Sequence, residues 1–352
     1  MNRDRLLSLN ALALLLAAAF LGAGSPSPSP ACVAANACDA TLFHQVGAAL
    51  LRGDGAVYGS MVGLADAPGL PFAYPPTALP LFALWGVGGA RLTAALSAVL
   101  GSLALGLAAR RLGGLAFGVA AMAGGWAFLS AWLGQTGSFV GAAALGLAVA
   151  LQEQRRVLAG VFLAMLLMKP QLGLFVALAL VGEGALVPVA LAITAGLGLL
   201  SLAIWGAQPW SGWLAVVAAG SRGAGPALDR GFMSTWHALV PDSLASYGAL
   251  SVGMCACGLL ISTLAGRRLA PTAALGLALV AGAFFAPHGH PYDLGVWLVP
   301  LFFTGRGPRA ALGLGLLAHL CVFAGVRAPL ALASAWLLWA QVGNRSGAQR
   351  SG

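Results

Sequence analysis

The sequence predicts an all-α, polytopic bundle of transmembrane helices with about twelve spans, and three observations carry that prediction. Of the 352 residues, 60% are hydrophobic and 8% charged, against about 25% charged in an ordinary soluble protein. Apolar stretches that approach the roughly 20 residues needed to cross hydrocarbon recur from one end of the chain to the other. The basic residues fall in pairs between those stretches: Arg3 and Arg5, Arg110 and Arg111, Arg155 and Arg156, Arg267 and Arg268, Arg306 and Arg309, Arg345 and Arg350 hold 12 of the 18 Lys and Arg. Such spacing marks loops kept on the cytoplasmic side. It also accounts for the net charge of +9 without nucleic acid, because no basic patch or stripe alternates with aromatics. The basic balance reports topology and contact with anionic membrane lipids.

Along the chain, residues 6–24 follow Arg3 and Arg5 as an apolar run and fit a retained first helix better than a cleavable signal, whose apolar core is about 7–15 residues. The Ser-Pro repeat at 25–30 is an extended connector. Residues 25–76 form a first external loop, since Asp39, Arg52, Asp54 and Asp66 are too many charges for a span. Within it Phe43, Val46, Leu50 and Leu51 recur at helical spacing beside His44, Gln45 and Arg52, the pattern of an amphipathic helix at the interface. A half-inserted piece is expected over 77–88. Spans follow at 92–109, 115–133, 138–152, 157–168, 171–181, 187–205, 249–265, 271–286, 293–304, 309–324 and 328–342. The two short ones flanking Lys169-Pro170 read as half-helices or one kinked element, and broken helices in a membrane chiefly line cavities. Residues 206–247, with Arg222, Asp229, Arg230, His237 and Asp242, form a second large external loop.

With this topology Asp39, Tyr74, Gln135, Lys169, His237, His288, His290 and Asp293 all fall at external loops or at the span ends facing them. Ionisable groups at membrane depth are expensive and mark a substrate path or cavity, although loops are also simply where polar residues survive. Lys169 interrupts the run Val157 to Met168 and calls for an anion, which a lipid phosphate would supply; snorkelling at a span end is the plainer reading. Asp39 suits a general base and equally a helix N-cap before Ala40-Thr41-Leu42-Phe43. His288, His290 and Asp293 lack the further ligands of a metal site and suit hydrogen bonds to phosphate or sugar hydroxyls. Asp54 and Asp66 read as solvated loop residues. Five cysteines show no metal-ligand spacing. Cys255, Cys257 and Cys321 are expected as buried hydrophobes, and Cys32 and Cys38 are close enough for a disulfide in an oxidising compartment.

The order Asp39, Tyr58, Phe72-Ala73-Tyr74-Pro75-Pro76, Gly134-Gln135, Gly160 leading to Lys169-Pro170-Gln171, then Pro287-His288 with Tyr292-Asp293, resembles glycosyltransferase family 87 over roughly residues 35–305. The resemblance implies a GT-C fold in the bacterial plasma membrane. It implies inverting transfer of a sugar, mannose by preference, from a polyprenyl-phosphate donor to a lipid or glycan hydroxyl on the external face. Asp39 would then be the base, Lys169 would hold the donor phosphate, and His288, His290, Gln135, Tyr74 and Asp293 would line the same cavity. Such enzymes often carry a second acidic residue near the first, and the nearest here is Asp54, so a single-carboxylate mechanism with no metal and no cofactor is the expectation. A transporter or flippase for a lipid-linked sugar is the rival class, but only one broken helix is evident where inverted repeats would supply two.

Overall fold

The computed structural model describes residues 39–58, 72, 74–133, 135–221, 236, 248–286, 291–323, 332–333 and 336–337, and every regular element among them is helical. In chain order these are α1 (Asp39–Leu51), α2 (Leu79–Phe82), α3 (Ala90–Ala123), α4 (Gly125–Leu133), α5 (Gly137–Gln152), α6 (Arg156–Leu167), α7 (Pro170–Ala179), α8 (Leu186–Trp205), α9 (Gln208–Ser221), α10 (Gly248–Arg268), α11 (Pro271–Phe285), α12 (Leu298–Phe303) and α13 (Pro308–Phe323). Short 3-10 turns at Pro76–Ala78 and Ala83–Gly86 flank α2, and a longer one, Pro291–Trp297, precedes α12. Nothing but helix satisfies backbone polar groups in hydrocarbon without a closed sheet.

Three stretches, Leu92–Ala123, Leu186–Trp205 and Ala249–Arg268, are long and apolar enough to cross a bilayer. The first is a hairpin. Gly114 sits at φ +76, a conformation glycine adopts without strain, and the helix reverses there. A Cβ added at Gly118 would meet the Gly106 carbonyl oxygen at 2.8 Å and Arg110 Cβ at 3.0 Å. In one straight helix residues 106 and 118 would stand about 18 Å apart, so the two limbs lie side by side with exposed Arg110 and Arg111 at the turn. The turn falls where the paired arginines predicted a loop.

A second hairpin is shorter. α6 and α7, of 12 and 10 residues, reach about 18 and 15 Å, and neither covers the roughly 30 Å of hydrocarbon. The two elements expected as spans at 157–168 and 171–181 are thus half-length helices. Arg156 Nη1 and Glu183 Oε2, 2.8 Å apart, tie the open end of this hairpin, while Lys169 and Pro170 form its tip. Close approach elsewhere keeps the register: a Cβ at Gly160 would strike the Leu186 carbonyl oxygen at 2.7 Å. A Cβ at Gly101 would meet Ser138 and one at Gly141 would meet Leu105, so the first limb of α3 runs alongside α5 in the same direction; Phe117 packs on Phe302, and Gly266 on the Ala179 backbone. These contacts bring exposed Arg110, Arg111, Arg155, Arg267, Arg268, Arg306 and Arg309 to the end of the bundle that holds Arg156 and Glu183.

α5 runs through the middle, buried along nearly its whole length. Its small residues let neighbours approach closely, and a Cβ at Gly146 would meet the Phe162 ring at 2.6 Å. By contrast α8 and α10 turn large apolar side chains such as Leu191, Leu199, Val252 and Leu260 outward, as helices facing lipid do. Of the two cysteines expected inside, Cys257 is exposed on the outward side of α10, whereas Cys255 is half-buried and packs against the main core. Cys32, Cys38 and Cys321 lie outside the described residues or side chains, as does the apolar run at 6–24.

α1 packs its Leu42, Phe43, Val46 and Leu50 into a second core with Tyr58, Phe72, Phe82 and Trp205, so its apolar face meets protein. Gly47 and Gly86 pack backbone to backbone, leaving no room for a Cβ on either. His44 Nδ1 lies 3.0 Å from the Trp85 carbonyl oxygen, and Trp205 Nε1 donates to the Leu50 carbonyl at 2.9 Å. Asp54 is exposed and its Oδ1 accepts the Ala56 amide at 2.8 Å, a local turn with no reach into the core.

Single cysteines replacing Arg110, Glu183 and Arg267 in a cysteine-free background should react with a membrane-impermeant thiol reagent from one side of sealed vesicles, and one replacing Gln208 from the other. Glu183 and Gln208 labelling from the same side would contradict this arrangement, since only α8 and its short flanks separate them.

Candidate functional site

Lys169 leaves the helical region at φ −114, ψ 83, and Pro170 restarts the chain as the first residue of α7, where its missing N–H costs nothing. The turn is internally satisfied. Lys169 N donates to the Leu166 carbonyl at 2.9 Å, and the Lys169 carbonyl accepts the Leu172 and Gly173 amides at 2.8 and 2.9 Å. Gly173 permits the tight reversal, since a Cβ there would fall 2.6 Å from Leu167 Cα. The side chain therefore leaves a rigid tip, about 20 Å along α6 from the arginine end. Snorkelling is not what it does: Lys169 is 4% exposed.

The anion it meets is Asp293, whose Oδ1 is 2.6 Å from Lys169 Nζ, across 124 residues of sequence. Asp293 sits in the 3-10 turn Pro291–Trp297, wedged by buried Leu294, Val296 and Trp297. The turn packs on α5 at van der Waals distance: a Cβ on Gly141 would lie 3.5 Å from Gly295 Cα, and its one tight neighbour would be Leu105 Cδ1 at 2.9 Å. Asp293 is itself 4% exposed, and its Oδ2 has no hydrogen-bond partner among the described residues. A buried acceptor left unmade costs about 1–3 kcal/mol, more when charged.

Tyr74 forms one wall. Its ring centroid is 5.6 Å from Lys169 Nζ, within cation–π range. Its hydroxyl is 2.6 Å from Thr136 Oγ1 and 3.4 Å from Gln135 Oε1, while its carbonyl accepts the Tyr58 hydroxyl at 2.6 Å. Burial pushes the Tyr58 phenol well above its usual range, which keeps it a donor. Gln135 is held by its backbone: its amide donates to the Ser130 carbonyl at 2.8 Å, and its own carbonyl accepts Ser130 Oγ at 2.8 Å. Ser130 Oγ also accepts the Ser138 amide at 3.0 Å. Thr136 and Ser130 did not stand out in the sequence; the polar run Gln135-Thr136-Gly137-Ser138 between two apolar stretches was their only signal.

Asp39 is the first residue of α1, and its description extends to the backbone alone. It lies one helical turn ahead of Phe43, on the same face. The Phe43 ring centroid is 5.7 Å from that of Tyr74, so this face of α1 packs towards the Lys169 site. Tyr74, Gln135, Lys169 and Asp293 are thus brought together. His237, His288 and His290 lie outside the described residues.

The family model of glycosyltransferase family 87 matches residues 72–288, more than half of the chain. The chain belongs to that family. This family 87 member is therefore a glycosyltransferase, using a sugar donor and an acceptor, and its apolar helices embed it in a membrane. The matched segment takes in Tyr74, Gln135 and Lys169 and ends on His288; Asp39, His290 and Asp293 lie beyond it. No curated protein and no solved structure matches the chain.

Breaking the buried pair from one side should be worse than removing it. Lys169→Met should destabilise by about 3–5 kcal/mol by stranding a carboxylate. Lys169→Met with Asp293→Asn should recover much of that loss in thermal unfolding of the detergent-solubilised protein. Equal losses in single and double variants would mean that the pair is not buried as described.

Proposed function

We propose that this family 87 glycosyltransferase takes a sugar, with mannose the first choice, from a polyprenyl-phosphate donor and transfers it with inversion to a lipid or glycan hydroxyl. The observation that carries the reading is a cation buried at the tip of a half-length helical hairpin; with the arginine end of that hairpin at the membrane surface, its tip stands about two-thirds of the way through the hydrocarbon. A phosphate attached to a lipid arrives from within the membrane and at its surface, where a water-soluble sugar nucleotide would not. Lys169 at that depth has the charge and donors to take a phosphate oxygen, and an ammonium can serve more than one acceptor.

Inversion requires the acceptor hydroxyl and the phosphate on opposite sides of the anomeric carbon. Asp39 takes the proton of the attacking hydroxyl as the new bond from its oxygen to the anomeric carbon forms. The bond from that carbon to the phosphate oxygen breaks, and the phosphate leaves with the electron pair and an extra negative charge. Lys169 stabilises the charge as it develops, which is worth most where water is excluded. Tyr74 and Gln135 hold the cavity wall, and His288 and His290 supply hydrogen bonds to phosphate or sugar. No metal or cofactor enters these steps.

The orientation rests on the paired arginines: with that end of the bundle in the cytoplasm, Lys169 and α1 face the outside of a bacterial plasma membrane. Packing supports Asp39 as base, since α1 carries it on the face that reaches Tyr74 through Phe43.

Membranes carrying the wild-type protein should move radiolabelled sugar from a polyprenyl-phosphate donor to endogenous lipid acceptors. Asp39→Asn at equal protein level should lower the rate at least about 100-fold, the scale of a lost general base. Undiminished transfer by Asp39→Asn would remove Asp39 from the chemistry.

A further inference from the structure

The Lys169–Asp293 pair uses one carboxylate oxygen and leaves the other with nothing to accept from among the described residues. Oδ1 lies 2.6 Å from the ammonium, and Oδ2 is buried with no partner. The carboxylate cannot easily turn away to solve this. Its 3-10 turn is held by the buried side chains of Leu294, Val296 and Trp297. Oδ2 is one of ten buried side-chain polar atoms without a partner among the described residues and the one that belongs to a carboxylate, and such a group calls for a specific explanation, a catalytic or ligand-binding role among them.

We infer that Asp293 Oδ2 accepts a hydrogen bond from a hydroxyl of the transferred sugar, the one on the carbon next to the anomeric centre, which makes Asp293 a specificity-determining residue. The inference rests on the polyprenyl-phosphate reading of the site. The two groups of the pair then meet two groups of one ligand: the ammonium takes the phosphate on the anomeric carbon, and the carboxylate takes the hydroxyl on its neighbour. Adjacency in the pair demands adjacency in the ligand, and a hydroxyl further round the ring would lie beyond the reach of a carboxylate fixed beside the cation. A hydrogen bond at this hydroxyl also strengthens as positive charge develops at the anomeric carbon, so it assists the reaction as well as recognition. A negatively charged acceptor suits it better than a neutral one.

The test compares kcat/KM for a synthetic polyprenyl-phosphate sugar and its 2-deoxy analogue, in wild-type protein and Asp293→Asn reconstituted in lipid vesicles. Wild type should disfavour the 2-deoxy donor by about 10- to 100-fold, the worth of a hydrogen bond to a charged group. Asp293→Asn should be slow with the natural donor and should shrink the ratio between the two donors by roughly 5- to 10-fold, since an amide oxygen accepts the hydroxyl without the charge. If Asp293→Asn fails to accumulate, Asp293→Glu makes the same comparison, since it keeps a charge for Lys169 while displacing the carboxylate by one methylene. Equal use of both donors by wild type, or an undiminished ratio in the Asp293 variants, would overturn the inference while leaving the donor class intact. A wild-type protein that transfers only from a donor with no polyprenyl phosphate would overturn the donor reading and this inference with it.

Discussion

A single ion pair sets the terms for the rest of this molecule. An ammonium and a carboxylate, each 4% exposed, meet at 2.6 Å inside a bundle whose other interior groups are almost all apolar. Taking both charges from water costs several kcal/mol per ion, and their attraction seldom returns more than that. The pair is therefore a poor device for stability. A well-packed leucine and methionine would serve the fold as well or better, so the reason for the pair must be sought in what it does to a ligand.

Placing it required local departures from regular structure. A continuous transmembrane helix cannot place a lysine at a backbone turn inside the bundle, and so the chain makes two half-length helices, with Pro170 beginning the second and Gly173 allowing it to lie against the first. Asp293 likewise comes from a 3-10 turn instead of a span. That turn lies in ordinary van der Waals contact with α5 where Gly295 faces Gly141. Tyr74 reaches the same point from the far side through an aromatic cluster anchored by α1. Three irregular segments converge on one cation; the Lys169 turn has its backbone hydrogen bonds supplied locally and the Tyr74 carbonyl has its own from the Tyr58 hydroxyl, as non-helical chain within a membrane requires.

Much of this was legible in the sequence, for reasons that differ from residue to residue. Composition and paired arginines are long-range signals, and they predicted helices and the turn at Arg110 and Arg111 without any knowledge of packing. Lys169-Pro170 was legible as a break because a charge and an imino acid together interrupt an otherwise apolar run. What could not be read was its partner: Asp293 stands 124 residues away, and nothing local in Tyr292-Asp293-Leu294 distinguishes a carboxylate that meets a lysine from one that meets a ligand. The expectation that Lys169 awaits a phosphate left out the counter-ion already supplied by the chain. Thr136, Ser130 and the two facing glycines were hidden for the same reason, since their importance lies in contacts between segments and not in their own neighbourhoods. Cys257 went astray because apolar surroundings in a membrane protein mean lipid as often as core.

If the site takes the phosphate donor proposed above, the counter-ion changes how that phosphate would be received. A lone buried lysine would bind any anion of suitable size and would itself be costly to keep charged without one. With Asp293 beside it, the resting site has no net charge from the pair, so a phosphate gains less from simple attraction. It must gain instead from fit, by finding a donor on the ammonium while another part of the same molecule satisfies the carboxylate. A ligand bearing phosphate alone meets the repulsion of Asp293 with no compensation, whereas a sugar phosphate brings a hydroxyl that turns the carboxylate into a partner. Discrimination of this kind is strong because the alternative leaves a buried charge unpaired. On the proposed reading, an enzyme surrounded by phospholipid headgroups would need that discrimination, since phosphate is everywhere at the bilayer surface, and an acid held beside the lysine would provide it at the point proposed for the leaving group.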